Sequence, residues 1–179
     1  MVLNTATRDI KPRLVPLILS AGIIVADQLA KLMVIWTVPL GRSVKVMGDF
    51  FRIIHVQNPA IAFSIGRSIE AGTRRTLFML LPLVVIALLF LYYIFTRDPL
   101  TRFQKWCFGA LVGGGLGNYV DRIFRPAGVV DFLDFKFYGV FGLERWPTFN
   151  IADATVVVTG ILLFISFLIP TRSAAGEKK

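Results

Sequence analysis

The 179-residue chain has a single histidine and a single cysteine, and each scarcity removes a kind of chemistry. With His55 alone, the two-histidine H-E-x-x-H zinc arrangement is impossible, and Ser64 has no histidine in a neighbouring span to activate it. No G-x-S-x-G elbow occurs either, so the remaining reagents for hydrolysis are carboxylates, and His55 reads as a strand residue. Cys107 forbids an internal disulfide and, within an apolar stretch, reads as a packing thiol. Charge is sparse too: 17% of residues against 55% hydrophobic, with a mean hydropathy of +0.69, which is foreign to an ordinary water-soluble domain. The charge that exists is lopsided, at net +9. Its basic residues flank apolar runs instead of forming one stripe, which points to membrane lipid headgroups as partners and away from nucleic acid. No internal repeat occurs, and the only biased segment is the tail Ser173 to Lys179.

What is present is a set of long apolar runs. Crossing the hydrocarbon core takes about 20 such residues. Leu14 to Trp36, Thr76 to Thr96, Phe103 to Phe124 and Ile151 to Ile169 all reach that length, which predicts a membrane all-α protein, a four-transmembrane-helix bundle forming one domain over residues 1–179. The first run is too long for a removable signal peptide and lacks a small-residue cleavage site, so it reads as a retained helix. Four crossings put both termini on one side and the long loops 37–75 and 125–150 together on the other. Basic residues tie in number between the two sides. Those in the tails and in the short Arg97 to Arg102 connection count most under the positive-inside rule, which predicts cytoplasmic termini. Val44 to Val46 and Phe50 to Val56 have strand character, predicting a small extracytoplasmic β element. Val129 to Phe135, partly alternating, either pairs with it or stands alone.

Several ionisable groups lie at membrane depth, where each costs several kcal/mol unless paired or hydrated. Asp27 and Lys31 are four apart on one helix face, acid first, and read as a scaffold ion pair supporting a site ahead of a catalytic pair. Gly113, Gly114, Gly115 and Gly117 allow close helix contact. Asn118 and Asp121 then share a face toward one polar cleft, or form a hydrogen-bonded cap of the bundle with Arg122 snorkelling to headgroups. Asn150 has the character of a helix N-cap, which puts Asp153 in the first turn, and capping stands level with catalysis for these two. Two carboxylates sharing one proton suffice to activate water and protonate a leaving amine.

Five segments, Asp27-Gln28-Leu29-Ala30-Lys31, Asn58-Pro59-Ala60-Ile61-Ala62-Phe63-Ser64, Gly117-Asn118-Tyr119-Val120-Asp121-Arg122, Val130-Asp131-Phe132 and Phe149-Asn150-Ile151-Ala152-Asp153, resemble in order and topology the signature blocks of the lipoprotein signal peptidases. The resemblance implies an aspartyl endopeptidase that cuts diacylglyceryl-modified prolipoproteins just before the lipidated cysteine, in the bacterial cytoplasmic (inner) membrane, with its active site at the extracytoplasmic face. It implies Asp131 with Asp153 as the catalytic pair, Asn58, Asn118, Arg122 and Asn150 lining the substrate site, and Asp121, Asp27 and Lys31 in support. It further implies no metal or other cofactor, a small sheet and a mobile helix over the site, and inhibition by globomycin. A monomer is the expected state. The chain departs from the family pattern at Ala60 and Ile61, where Gly-Ala is usual, and at Ala154, where Ser is common; the former is expected to give the loop after Asn58 a different shape, since alanine resists backbone conformations that glycine allows.

Asp121 competes with Asp131 as the partner of Asp153. Asp131 is preferred because the adjacent Arg122 would hold Asp121 ionised, whereas a dyad needs one protonated member. The alternative from another class is a proton-coupled solute carrier with Asp27, Lys31, Asp121 and Asp153 as a relay, although no inverted repeat accompanies them.

Overall fold

The computed structural model describes residues 11–59, 71–97 and 99–169. A one-turn helix α1 (Lys11–Leu14) leads into α2 (Pro16–Thr37), with Pro16 in the first helical position, where a missing N–H costs nothing. Strands β1 (Ser43–Met47) and β2 (Phe51–Asn58) follow, then α3 (Ala71–Phe95), α4 (Arg102–Phe124), β3 (Val129–Phe135) and α5 (Ile151–Leu168). α3 starts five residues ahead of the expected span, because hydropathy marks where polar side chains end and not where the helix begins. The Ala60–Ile61 departure, Ser64 and the expected mobile helix fall on or beside residues 60–70, outside the described residues.

Four long helices carry apolar side chains on their outer faces and polar ones within. Ile18, Val25, Leu29 and Met33 of α2 and Val157, Ile161, Phe164 and Ile165 of α5 are exposed, while Asp27, Lys31, Asp121 and Asn150 are fully buried. That inversion of the water-soluble pattern suits lipid as the surrounding solvent. By length and apolarity, α2 with 22 residues and α5 with 18 suffice to cross a bilayer, and Met79–Phe95 of α3 is a shorter apolar stretch. α4 differs in that its polar residues are covered by its neighbours.

α4 is the central helix because its glycines let the others close on it. A Cβ on Gly113 would stand 2.7 Å from the Ser20 backbone of α2, and one on Gly114 2.8 Å from the Ala152 carbonyl of α5. On the third side Ile86 of α3 fills the space beside Gly115, and Tyr93 stacks on Phe108 with ring centroids 5.4 Å apart. These contacts run α2 parallel to α4, and α3 and α5 antiparallel to it. At the end away from the sheet, Arg13 donates to the carbonyls of Tyr93, Ile94 and Thr96, placing a cation where the α3 dipole is negative. Cys107 is buried in the apolar cluster there.

At the opposite end β3 joins β2, so both long connections contribute to one antiparallel sheet of order β1-β2-β3. Ile53 faces Leu133 and Val56 faces Asp131, so β2 carries one extra residue over that interval, a bulge. Beyond it, Asn58 pairs with Val129 and shares a face with Asp131. Gly128, at φ +113°, turns the chain from α4 into β3 directly against the Asn58 carbonyl, where a Cβ would collide. His55 lies buried on β2, as a strand residue, with Nδ1 2.9 Å from the Val38 carbonyl at the end of α2.

Candidate functional site

Where the sheet meets the helix ends, five elements converge on one hydrogen-bonded polar network. Its base comes from α2. Asp27 Oδ2 and Lys31 Nζ pair at 2.7 Å with both side chains wholly buried, which the four-residue spacing anticipates. The other oxygen of Asp27 accepts the backbone N–H of Ala152 at 3.0 Å, so an acid of α2 caps one orphan donor of α5. Lys31 also meets Asp121 Oδ2 at 2.9 Å and donates to Asn118 Oδ1 at 2.9 Å.

Asp121 is saturated. Its Oδ2 takes Lys31 and the Val130 N–H, at 3.0 Å; its Oδ1 takes Gln28 Nε2, at 2.8 Å, and the Arg125 guanidinium. Two cations and two neutral donors therefore occupy both oxygens of this buried carboxylate. Arg122, adjacent in sequence, is not among those partners. Arg122 donates instead to the Asn118 carbonyl, one turn back, at 3.1 Å, and its charge acts on Asp153, Asp121 and Asp131 together. A helix side chain at i+1 points away from residue i, whereas Arg125, at i+4, lies directly over Asp121.

Asn150 is N-cap and network member at once. Its Oδ1 accepts the Asp153 N–H at 2.9 Å and the Asp153 carboxylate returns to the Asn150 N–H at 3.2 Å, a reciprocal capping box. The same amide turns its nitrogen to Asp131 Oδ1, at 2.7 Å, and to Asn118 Oδ1, at 3.0 Å. Asn58 Nδ2 holds the second oxygen of Asp131 at 3.1 Å, and Asn118 Nδ2 holds Asp153 Oδ1 at 2.7 Å. Asp131, from a loop strand, and Asp153, from a helix start, are thus each gripped by neutral amides and linked through Asn150. Ala154, the other departure from the family pattern, follows Asp153 and donates its backbone N–H to the Asn150 carbonyl at 3.1 Å.

Asp131 is only 2% exposed, and burial, followed by the negative charge of Asp153, raises its pKa to about 7. The Asn58 and Asn150 amides and the charge of Lys31 pull the other way without prevailing. Near neutral pH this carboxyl is therefore divided between acid and base.

All nine side chains singled out from the sequence belong to this one region. Two others went unassigned: Gln28, inside the first quoted segment, and Arg125, whose i+4 spacing from Asp121 was a usable signal.

A family model described as signal peptidase (SPase) II matches residues 19–169. The lipoprotein signal peptidase of Treponema pallidum (strain Nichols) is 45% identical over 172 residues, 96% of this chain and 92% of that protein. That of Borreliella afzelii (strain PKo) is 44% identical over 147 residues, 82% of this chain and 84% of that one. A solved bacterial membrane enzyme, determined by the in meso method at 1.9 Å resolution, superposes with a TM-score of 0.73 at 27% identity, covering 88% of this chain and 94% of its own. Since the matched stretch runs from α2 through the whole polar network to α5, the chain belongs to the signal peptidase II family.

Proposed function

We propose that this chain is an aspartyl endopeptidase of the membrane, which removes signal peptides from prolipoproteins by general acid and base catalysis from Asp131 and Asp153. Family membership supports the activity, and the assignment of the pair rests on one observation. Asp131 is carried to about pH 7 by burial and by Asp153, whereas both oxygens of Asp121 are occupied by Lys31, Arg125, Gln28 and the Val130 N–H. A pair sharing one proton has both a base and an acid. The ionised member takes a proton from water as it attacks the scissile carbonyl. The protonated member donates to the carbonyl oxygen, and a proton then passes to the leaving amine. Asn58, Asn118 and Asn150 hold both carboxylates, and Arg122 adds a positive charge at the substrate side.

The substrate is a diacylglyceryl-modified prolipoprotein cut before its lipidated cysteine. The four long helices are four crossings of the bacterial cytoplasmic (inner) membrane, a reading supported by their alternating direction around α4. Basic tails put the termini in the cytoplasm, the sheet and the site at the extracytoplasmic face, and lipid around a monomer. Globomycin is expected to bind at the site. The carrier alternative has no support, since Lys31 bridges Asp27 and Asp121 in a buried cluster, Asp27 also holds the start of α5, and the relatives are peptidases.

Purified protein incubated with a lipidated precursor should release the signal peptide, globomycin should block release, and Asp131→Asn or Asp153→Asn should abolish it in folded protein. Normal cleavage by either variant would overturn the assignment. Protease accessibility of the loops in intact spheroplasts checks the orientation.

A further inference from the structure

Lys31 stands behind the carboxylate pair and not beside it. It is 0% exposed, and its three N–H bonds meet three acceptors: Asp27, Asp121 and Asn118 Oδ1. An ammonium has three donors and no acceptor, so its capacity is filled. A scaffold pair would need only the carboxylates. The third bond reaches the amide that holds Asp153.

That bond decides which way Asn118 faces. Asn118 Oδ1 accepts from Lys31 and from Asn150 Nδ2, which uses both lone pairs and leaves Nδ2 to donate to Asp153 at 2.7 Å. Rotating the amide by half a turn would set an NH2 against an ammonium and another NH2, with no acceptor for either, and a carbonyl oxygen against a carboxylate.

Charge leads to the same residue. The network holds the cations Lys31 and Arg122 and, at its edge, Arg125, against the acids Asp27, Asp121, Asp131 and Asp153. Three positive charges face four acids. A water-poor site resists an unbalanced charge, and one proton on the pair restores neutrality. The field of Lys31 acts on Asp131 itself.

We propose that Lys31 is a positioning residue for the reaction, fixing the Asn118 amide on Asp153 and supplying the charge that leaves the Asp131–Asp153 pair with a single proton. This rests on the assignment of that pair under the proposed function.

The test is the pH–rate profile of full-length protein cleaving a diacylglyceryl-modified precursor, for wild type, Lys31→Met, Asp27→Asn and the double variant. Removing the cation makes the pair hold protons more tightly, so the bell of Lys31→Met moves to higher pH, by about one unit or more. Removing the anion in Asp27→Asn moves it to lower pH. The double variant returns the bell near its wild-type position with kcat still depressed, because Asn118 has lost its donor. KM changes less than kcat throughout. A purely structural lysine predicts lost rate with no displacement of the bell, and that result, or displacement of both single variants in one direction, overturns the proposal. If Lys31→Met does not accumulate as folded protein, the Asp27→Asn bell decides alone, and an unmoved one overturns it. Asp153→Asn separates the two readings: activity in that variant removes the pair assignment, whereas an inactive Asp153→Asn beside an unmoved Asp27→Asn bell removes only the role of Lys31.

Discussion

Asp27, in the middle of α2, accepts the backbone N–H of Ala152 at 3.0 Å across 125 positions of sequence. One carboxylate therefore neutralises a buried lysine and finishes the first turn of α5, the helix that carries Asp153. Replacing it with leucine would strand Lys31 between Asp121 and Asn118 and leave an α5 donor unsatisfied. Breaking a buried pair at one partner costs about 3–5 kcal/mol, so Asp27→Leu should unfold many degrees below wild type in detergent. A melting temperature within two or three degrees of wild type would contradict the capping and pairing described here.

How much of this was legible in the sequence follows from range. The Asp27–Lys31 pair and the Asn150–Asp153 box are contacts within one helical turn, where spacing indicates the pair and the N-cap, though not the reciprocal bond from the Asp153 carboxylate. Spacing could not say that Asn150 caps and holds Asp131 together, since those two meet across a loop and a strand. The pairing of Val129 to Phe135 is not legible locally because β3 is buried at five of its seven residues and shows no clean alternation. The bulge that sets Asn58 beside Asp131 has no local signal in Ile53 to Val56. Arg125, at i+4 from Asp121, is legible by spacing, whereas Arg122, next to Asp121 in sequence, bonds the Asn118 carbonyl in space.

Asp131 also predicts how stability varies with pH. An ordinary aspartate titrates near 3.9 in the unfolded chain, and in the fold this one titrates near 7. The native state then binds more protons between those values, so the stability that the neutral carboxyl contributes is fully present below about pH 4 and is lost as pH rises through 7. Wild type should lose stability from pH 5 to pH 8, by on the order of 2 kcal/mol, and Asp131→Asn should flatten that slope. Melting curves at both pH values check this, and parallel slopes would contradict it.

Gly114 of α4 and Gly160 of α5 contrast in what surrounds them. Gly114 faces the Ala152 carbonyl and the Val156 side chain at under 3 Å from a built Cβ, whereas Gly160 of α5 has nothing within 4 Å. Gly114→Val should push α5 from α4 and cost about 1–3 kcal/mol or more, and Gly160→Ala should be neutral or slightly stabilising through helix propensity. Thermal unfolding of the two variants in one detergent gives the comparison, and equal melting temperatures would mean the helices do not rely on that approach.

Asn150→Asp separates capping from chemistry at a single position. Aspartate is as good an N-cap as asparagine, so its carboxylate still accepts the Asp153 N–H and α5 keeps its first turn. What disappears is the nitrogen that donates to Asp131 at 2.7 Å and to Asn118 at 3.0 Å. In its place a third carboxylate enters a site whose charges balance only if the existing two share a proton, and like charges a few Å apart resist joint ionisation. The variant should insert and fold while turnover of a lipidated precursor falls by at least about a hundredfold, with some activity returning at lower pH as the added acid is protonated. Turnover near wild type at neutral pH would mean the Asn150 nitrogen does nothing for Asp131, and that capping alone accounts for the residue.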